Sequence, residues 1–305
     1  MHYSTIGVAL TQKCTANCSV CCFECNPNRT EAIDLEQLTA YIQSSKTVGS
    51  IDTISFTGGE AFLLYDKLIE LSKLCVQAGK NTTVITNGFW ANSQESAETK
   101  MLVLKQAGVG EIAVSYDEFH GEYIPVQNIV NYIKAAKKCN LPPVIQSIVQ
   151  KKPNLNWLSD IGSDLSDAIV HFIPFYSVGA AKKTCSEMIA KPNSVQNCLC
   201  RKTGAYSVLY DGTIWPCCSP YVQETALSVG NIKSETVQST LDKFENHIIL
   251  RNLRRYGFDF YLNSIKRYNI DIAIPDSIVS SCELCALLFS HENIEKFFPA
   301  ILNYR

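Results

Sequence analysis

The stretch Cys14-Thr15-Ala16-Asn17-Cys18-Ser19-Val20-Cys21 directly follows an apolar segment, residues 4–10, that is predicted to form a strand. Its three cysteines have the spacing C-x3-C-x2-C. Most protein-bound [4Fe-4S] clusters take a thiolate on each iron, so three cysteines on one loop leave one iron open to a substrate. The alternatives are a zinc knuckle and a set of unrelated core thiols. Structural zinc sites usually have four ligands in C-x2-C pairs, so the x3 step favours the cluster.

The composition describes a globular protein with a substantial core, since 46 per cent of the 305 residues are hydrophobic and 18 per cent are charged. The net charge of −2 points to neither a nucleic acid nor a membrane as a partner. No apolar run approaches the ~18 residues of a membrane span, and the N-terminus lacks the features of a signal peptide. We therefore expect a cytoplasmic protein, in which fourteen cysteines indicate metal binding or catalysis rather than disulfides.

Most of these cysteines form two groups along the chain. The first group consists of Cys14, Cys18, Cys21, Cys22 and Cys25. The second group consists of Cys185, Cys198, Cys200, Cys217, Cys218, Cys282 and Cys285. The grouping predicts one cysteine site near the N-terminus and another in the C-terminal part of the chain.

A second motif, Gly58-Gly59-Glu60, follows the second predicted strand. Glycines let the backbone approach a ligand closely, and the carboxylate of Glu60 can accept charge-assisted hydrogen bonds from an ammonium group. Alone, this motif is typical of an ordinary strand-end turn. Because it follows a C-x3-C-x2-C loop along the chain, it resembles the GGE motif of the radical S-adenosylmethionine (SAM) superfamily. In that superfamily the open iron chelates SAM, and the GGE motif binds the amine of SAM. The resemblance implies a [4Fe-4S] cluster on Cys14, Cys18 and Cys21, and SAM contacts from Gly58, Gly59 and Glu60.

Short apolar runs alternate with segments of helical periodicity through the first ~175 residues. The predicted strands are residues 4–10, 53–56, 82–85, 111–115, 144–149 and 169–173. The predicted helices are residues 34–46, 65–79, 94–108, 126–139 and 154–165, with Asp34 and Gln37 placed like a capping box. The alternation implies a parallel sheet with right-handed crossovers. The resemblance implies an α/β fold, with a partial (β/α)6 TIM-like barrel at residues 1–180 and a small C-terminal extension at residues 181–305.

Polar residues stand at the ends of the next predicted strands, where barrels carry out their chemistry. Asn87 ends the third strand, and Ser115 and Asp117 end the fourth, on the same face by alternation. In relatives, such positions contact the ribose of SAM, and Gln146 on the fifth strand is a weaker candidate. His120 is either a general base or a hydrogen-bonded structural histidine.

The C-terminal part begins with a predicted hairpin, residues 206–215, that has a turn at Asp211-Gly212. Together with Pro216-Cys217 it resembles the D-G-x-x-x-P-C hairpin of SPASM and twitch extensions, which hold auxiliary iron-sulfur clusters. The resemblance implies one auxiliary [4Fe-4S] cluster on Cys200, Cys217, Cys282 and Cys285. Cys198 can replace Cys200, and a structural zinc site stays open because thiolates suit both metals.

Cys218 is left over beside Cys217, and its S–H bond is weak enough to quench a carbon radical. Five runs resemble radical SAM peptide epimerases that make epipeptides: Ile54-Ser55-Phe56-Thr57-Gly58-Gly59-Glu60, Thr86-Asn87-Gly88-Phe89-Trp90, Ser115-Tyr116-Asp117-Glu118-Phe119-His120, Ser177-Val178-Gly179-Ala180-Ala181-Lys182 and Pro216-Cys217-Cys218-Ser219-Pro220. In those enzymes the 5′-deoxyadenosyl radical removes the α-hydrogen of an L-residue. A cysteine then returns hydrogen from the opposite face to give the D-residue, and Cys218 matches that cysteine. The segment Arg201-Lys202-Thr203-Gly204-Ala205-Tyr206 lacks the carboxylate that the resemblance predicts nearby.

The resemblance implies a ribosomally synthesised precursor peptide as substrate and a reducing electron donor such as flavodoxin or ferredoxin. Since no winged-helix-like domain precedes the barrel, we expect the peptide to bind the barrel and the extension directly. One alternative is a radical SAM enzyme that forms thioether or C–C crosslinks, and another is a non-catalytic metal-binding scaffold. Crosslinking ends in oxidation of the carbon radical, whereas epimerisation ends with transfer of hydrogen from a thiol to that radical. Cys218 is therefore the feature that discriminates between the two reactions.

Overall fold

The computed structural model describes residues 3–183, 186–196, 198–200 and 204–302. In this part of the chain, nine strands form one sheet and two short strands form another. The strands are β1 (Thr5–Ala9), β2 (Thr53–Thr57), β3 (Asn81–Thr86), β4 (Val109–Ser115), β5 (Pro143–Val149), β6 (Ile169–Pro174), β7 (Asn193–Ser194), β8 (Ala205–Val208), β9 (Thr213–Trp215), β10 (Gly230–Asn231) and β11 (Ser277–Ile278). The large sheet has the order β10-β9-β8-β1-β2-β3-β4-β5-β6, and β7 pairs with β11.

Strands β1 to β6 each run parallel to their neighbours. The helices are α1 (Leu35–Ser44), α2 (Tyr65–Gln77), α3 (Gln94–Gln106), α4 (Val126–Lys138), α5 (Asn156–Ile161), α6 (Val237–Asn246), α7 (Ile248–Tyr256), α8 (Asp259–Tyr268), α9 (Ser281–Leu288) and α10 (Phe298–Leu302). Helices α1 to α5 lie in the five crossovers of the parallel strands, which confirms the predicted α/β fold with a partial barrel. None of the helices within the described ranges is long and apolar enough to cross a bilayer.

The predicted strands all overlap observed ones, and their ends differ by two residues at most. The last predicted helix of the barrel, residues 154–165, is only partly α-helical. Helix α5 stops at Ile161, and a 3-10 helix continues over Gly162–Asp167. Gly162 has a φ of 69°, which lies outside the α-helical region and interrupts the regular hydrogen bonding.

The first helix is capped by Asp34, but the predicted reciprocal capping box is wrong. The Asp34 carboxylate accepts hydrogen bonds from the backbone N–H groups of Glu36 and Gln37, both at 3.0 Å. The Gln37 amide donates to the same carboxylate, at 3.4 Å, instead of accepting from the Asp34 backbone. A charged acceptor attracts the amide hydrogens, so the aspartate alone caps the helix.

The extension is continuous with the sheet of the barrel, because β8 pairs in parallel with β1. The predicted hairpin is confirmed: β8 and β9 are antiparallel. The turn closes with the Gly212 N–H donating to the Leu209 carbonyl at 2.8 Å, and the Leu209 N–H donating to the Thr213 carbonyl at 3.0 Å. Gly212 has a φ of 79°, as a three-residue hairpin loop with a glycine bulge requires. The division of the chain at residue 180 stays a prediction.

Candidate functional site

A cavity of about 240 Å³ lies at the C-terminal ends of the barrel strands and gathers most of the predicted SAM-site residues. The three cysteines of the loop after β1 line it, and so do residues from β2, β3, β4 and β5. The predicted residues on its wall are Cys14, Cys18, Cys21, Gly58, Gly59, Asn87, Ser115 and Gln146. Cys22, Cys25 and His120 line it as well. Residues that are far apart in the chain thus meet at one edge of the sheet, as the strand-end argument predicts.

The glycines after β2 allow this strand to contact the segment that enters the cysteine loop. The N–H of Gly59 donates to the Thr11 carbonyl at 2.5 Å, and the N–H of Glu60 donates to the Lys13 carbonyl at 2.9 Å. A Cβ atom on Gly59 would lie 2.2 Å from the Lys13 carbonyl oxygen, which no side chain tolerates. Glycine at this position therefore holds the cysteine loop against β2, whatever it also contributes to a ligand.

Glu60 is fully buried, and neither its burial nor its internal hydrogen bonds follow from its strand-end position. Its carboxylate accepts from the Phe62 N–H at 2.9 Å, the Thr86 hydroxyl at 2.7 Å and the Asn87 N–H at 2.7 Å. Burial raises the pKa of this carboxyl group, and the three hydrogen bonds oppose the shift. Glu60 thus ties the end of β2 to the end of β3, and its contact with SAM stays a prediction.

Asn87 faces the cysteine loop from the end of β3 and is 5 % exposed. Its side-chain N–H group donates to the Thr15 hydroxyl at 2.9 Å and to the Cys14 sulfur at 3.6 Å. Its side-chain oxygen accepts from the Phe89 N–H at 3.1 Å. The predicted contact of Asn87 with ribose is untested, and the observed contacts place its amide against the cysteines.

Asp117 and His120 form a buried pair just beyond β4. One oxygen of Asp117 accepts from the N–H groups of Phe119 and His120, both at 3.0 Å, and lies 2.8 Å from Nδ1 of His120. The other oxygen accepts from the Ile148 N–H at 3.0 Å. Burial raises the pKa of Asp117, but the bond to His120, the charge of His120 and the backbone N–H donors together outweigh it, and the net shift of the pKa is downward. Burial lowers the pKa of His120, but the bond to Asp117 and the negative charges around the ring together outweigh it, and the net shift of the pKa is upward.

Four internal donors therefore surround the Asp117 carboxylate, whereas Ser115 and its partner on β5, Gln146, face the cavity. The predicted contact of Asp117 with ribose stays untested. His120 has the environment of the hydrogen-bonded structural histidine that was one of its two predicted roles.

A second cavity, of about 460 Å³, gathers the cysteines of the extension. Cys217 enters it from the segment after β9, and Cys200 precedes β8. Its predicted cluster ligands are Cys200, Cys217, Cys282 and Cys285. Among the described residues on its wall, Cys200 is present and Cys198 is not. Cys185 and residues 201–203 lie outside the described residues.

Cys218 is exposed and lies against the barrel strands. Its thiol donates to the Tyr206 carbonyl at 3.3 Å. A Cβ atom on Gly7 would stand 2.9 Å from the Cys218 sulfur, so Gly7 provides the space that the thiol occupies. Sequence reasoning missed Gly7, although a glycine inside a strand is a known signal of close approach. It also assigned no role to Thr15 and Thr86, although both lie within the quoted stretches of sequence.

The donor sets of the two cavities fit iron-sulfur clusters, because thiolates are the cluster ligands in most proteins. Across the described ranges, no three His, Cys, Asp or Glu side chains converge as they would on a single metal ion. In a cluster, each thiolate binds a different iron and the sulfur atoms do not share one centre. Cys14, Cys18 and Cys21 would hold one cluster, and the four cysteines of the second cavity would hold the other.

Comparison with known proteins agrees with this arrangement. Residues 8–149 match the family model of the Radical SAM superfamily, and residues 198–286 match the SPASM model, an iron-sulfur cluster-binding domain. The chain is 30 % identical over 314 aligned positions to the "Putative peptide biosynthesis protein YydG" of Bacillus subtilis (strain 168), and the alignment covers 100 % of this chain and 98 % of that protein.

Two solved structures can be aligned with this chain, and the first of them is similar in fold. The structure of native anSMEcpe with bound AdoMet and the Cp18Cys peptide has a TM-score of 0.59 at 14 % identity, with 98 % of each chain covered. Streptococcus suis SuiB bound to S-adenosylmethionine has a TM-score of 0.48 at 14 % identity, with 83 % of this chain and 68 % of that chain covered. From the matched families and the full-length relative, the chain belongs to the radical SAM superfamily, which uses SAM and a [4Fe-4S] cluster, and carries a SPASM domain that binds further iron-sulfur clusters.

Proposed function

We propose that this protein is a radical SAM enzyme that converts L-residues of a ribosomally synthesised peptide into D-residues, with Cys218 as the hydrogen donor. The full-length relative named for peptide biosynthesis supports a peptide substrate. The observation that carries the epimerase proposal is the position of the Cys218 thiol. It is exposed, it lies against Gly7 of β1, and it is not among the described residues on the wall of the second cavity.

The sheet register supports a position on the inner face of the barrel for this thiol. In β1, Ile6 and Val8 are buried in the core on one face, so Gly7 points to the other. Gly7 is in register with Ser55 of β2, and Thr57, two residues further on, lines the first cavity. The Cys218 sulfur, which lies beside Gly7, therefore shares a face of the sheet with Thr57 on the wall of the first cavity, and Gly7 and Thr57 are about 7 Å apart along the strand direction by their register.

The neighbouring Cys217 has different surroundings. It lines the second cavity, and its carbonyl oxygen accepts a hydrogen bond from the Ser207 hydroxyl at 2.8 Å. We infer that Cys217 joins Cys200, Cys282 and Cys285 as the ligands of one auxiliary [4Fe-4S] cluster. This assignment leaves the Cys218 thiol for chemistry with the substrate.

The proposed reaction uses two electrons and exchanges one hydrogen at Cα for another. When bound at Cys14, Cys18 and Cys21, the cluster with SAM would supply a 5′-deoxyadenosyl radical, at the cost of one electron from a reducing carrier, and this radical would remove the Cα hydrogen of an L-residue. Cys218 then breaks its S–H bond and forms a new Cα–H bond on the opposite face. The sulfur radical that remains takes one electron and one proton to restore the thiol. A low-potential carrier such as flavodoxin or ferredoxin would supply both electrons.

The test compares Cys218→Ala with Cys217→Ala, each assayed anaerobically in heavy water with synthetic peptides translated from short open reading frames that adjoin the gene. Wild-type protein should give D-residues with one deuterium each, since the thiol exchanges with solvent. Cys218→Ala should retain wild-type iron and cleave SAM but form no D-residue. Cys217→Ala should lose the iron of one cluster. A deuterated D-residue from Cys218→Ala, or loss of iron from that variant, would contradict the proposal.

A second variant tests the geometry without removing the thiol. Gly7→Ala places a methyl group 2.9 Å from the Cys218 sulfur and should displace it. Misplacing a reacting group by about 1 Å can cost about 100-fold in rate, so D-residue formation should fall while SAM cleavage persists. Gly49→Ala is the control, because a Cβ there meets nothing within 4 Å. Crosslinked product from wild-type protein would favour the alternative reaction instead.

A further inference from the structure

The side chain of Asn87 contacts Cys14, a predicted ligand of the SAM-binding cluster, and the orientation of its amide is determined by its partners. The Asn87 oxygen accepts from the Phe89 N–H at 3.1 Å, which leaves the N–H group towards the cysteine loop. That group donates to the Cys14 sulfur at 3.6 Å and to the Thr15 hydroxyl at 2.9 Å. A flipped amide would turn its oxygen to the sulfur and lose the bond from Phe89.

Glu60 anchors the backbone that carries this amide. Its buried carboxylate accepts the Asn87 backbone N–H at 2.7 Å and, through its other oxygen, the Thr86 hydroxyl at 2.7 Å. Thr86 in turn accepts from the indole N–H of Trp90 at 3.0 Å. The backbone N–H of Asn87 and the side chain of the preceding Thr86 are therefore anchored by charge-assisted or buried hydrogen bonds, which leave little freedom for the Asn87 side chain.

We propose that Asn87 is a positioning residue that sets the reduction potential of the SAM-binding cluster through its N–H···S hydrogen bond to Cys14. Hydrogen bonds to cluster sulfurs are one of the determinants of cluster potential. Reduction adds negative charge to the cluster and its thiolates, so a donor at the Cys14 sulfur stabilises the reduced state and raises the potential. The proposal is independent of the reaction that the enzyme carries out on its peptide.

The variant Asn87→Ser separates this effect from support of the loop. A serine hydroxyl can accept from the N–H two residues on, as in an ST turn, but is too short to reach the sulfur. The matched control is Asn128→Ser, because the Asn128 amide supports the same loop through the Gly88 and Phe89 carbonyls, both at 3.1 Å, without a sulfur contact. A merely structural role of Asn87 predicts the same potential in both variants.

The measurement is an anaerobic redox titration followed by electron paramagnetic resonance, with the SAM-binding cluster identified by the change in its signal on SAM addition. At a fixed potential, Asn87→Ser should have a reduced-to-oxidised ratio about tenfold below wild type, which corresponds to about 59 mV for one electron. Asn128→Ser should match wild type. An unchanged potential in Asn87→Ser, or an equal shift in Asn128→Ser, would overturn the proposal.

A spectroscopic measurement on the wild-type enzyme covers the case in which Asn87→Ser fails to assemble its cluster. Protein labelled with nitrogen-15 asparagine should give a nitrogen-15 coupling to the reduced SAM-binding cluster in pulsed resonance spectra. The coupling should persist in Thr15→Val, which removes the other acceptor of the amide and leaves the sulfur. Absence of the coupling from wild-type protein would rule out the N–H···S bond.

Discussion

At the scale of single residues, hydrogen bonding rather than charge alone decides what each polar group of the SAM site does. Glu60, Asn87 and Asp117 all follow barrel strands, yet only Asn87 lines the first cavity. The carboxylates of Glu60 and Asp117 are occupied by internal donors. A buried carboxylate without such donors would be costly, so these hydrogen bonds offset the burial of both groups and tie the strand ends of the site to one another.

Glu60→Gln is predicted to weaken both the fold and the binding of SAM. The N–H group of the glutamine must face one of the groups that now donate a hydrogen bond to the carboxylate. Two donors then oppose each other, which should lower the free energy of unfolding by about 1–3 kcal/mol. Denaturant unfolding measures that loss, and SAM binding is measured by calorimetry. Thr86→Val is the control, since it removes one donor to Glu60 and keeps the charge. SAM affinity unchanged in Glu60→Gln would contradict a carboxylate–ammonium contact, and an equal loss in both variants would assign the effect to positioning.

At the scale of elements, the β8–β9 hairpin determines where Cys217 and Cys218 stand, because both follow β9 directly. The Tyr206 carbonyl on β8 accepts from the Cys218 thiol, and the Ser207 hydroxyl on the same strand donates to the Cys217 carbonyl. The two adjacent cysteines are therefore oriented by one strand towards different surroundings. The turn that sets the hairpin register depends on Gly212.

Gly212→Ala should destabilise the protein through both its backbone and its new methyl group. A left-handed conformation costs a non-glycine residue about 1–2 kcal/mol, and the Cβ would lie 2.7 Å from Oδ1 of Asn231. Gly79 also has a positive φ, 72°, and a Cβ at this position would meet nothing within 4 Å. The variant Gly79→Ala therefore measures the cost of the backbone conformation alone. Denaturant unfolding should rank Gly212→Ala as the more destabilised of the two. Equal losses would show that the Asn231 contact has no effect.

At the scale of the whole molecule, the barrel and the extension share one sheet and one buried hydrogen-bond cluster. The Tyr41 hydroxyl on α1 lies 2.9 Å from the Tyr206 hydroxyl on β8 and 2.9 Å from the Thr240 hydroxyl on α6. Both tyrosines are buried, and burial raises the pKa of Tyr41 to about 12. Because these contacts join residues that are 165 and 199 positions apart, they bind the two parts of the chain together.

We expect the protein to unfold in a single transition, and Tyr41→Phe to shift that transition as a whole. Loss of the hydroxyl removes two buried hydrogen bonds and should cost about 1–3 kcal/mol. Within the described part of the chain, the Tyr206 hydroxyl has no other hydrogen-bond partner, whereas the Thr240 hydroxyl still bonds to the Thr236 carbonyl. The double variant Tyr41→Phe/Tyr206→Phe should cost less than the two single variants together, since their hydroxyls interact. Denaturant unfolding should be followed both by fluorescence and by circular dichroism. Two separate transitions would show that the barrel and the extension are independent.

The fold is largely predictable from local sequence signals. Strands and helices follow from hydrophobic periodicity, which depends on neighbouring residues, and the spacing of the cysteines is enough to indicate the cluster loop. The hairpin at Asp211-Gly212 is predictable for the same reason, because turn chemistry is local. The exceptions, such as the early end of α5 at Gly162, are also local and lie at element boundaries.

What the sequence determined by itself is therefore the order of elements and the set of cysteines. Only the tertiary structure decided that Gly7 makes room for Cys218, that Glu60 is buried, and that Asn87 donates to Cys14. All three features depend on strand register and on loop packing between distant parts of the chain. Neither register nor loop packing produces a periodic pattern in the sequence. Chemistry at strand ends can be located from spacing, whereas the partner of each side chain depends on which backbone the fold brings against it.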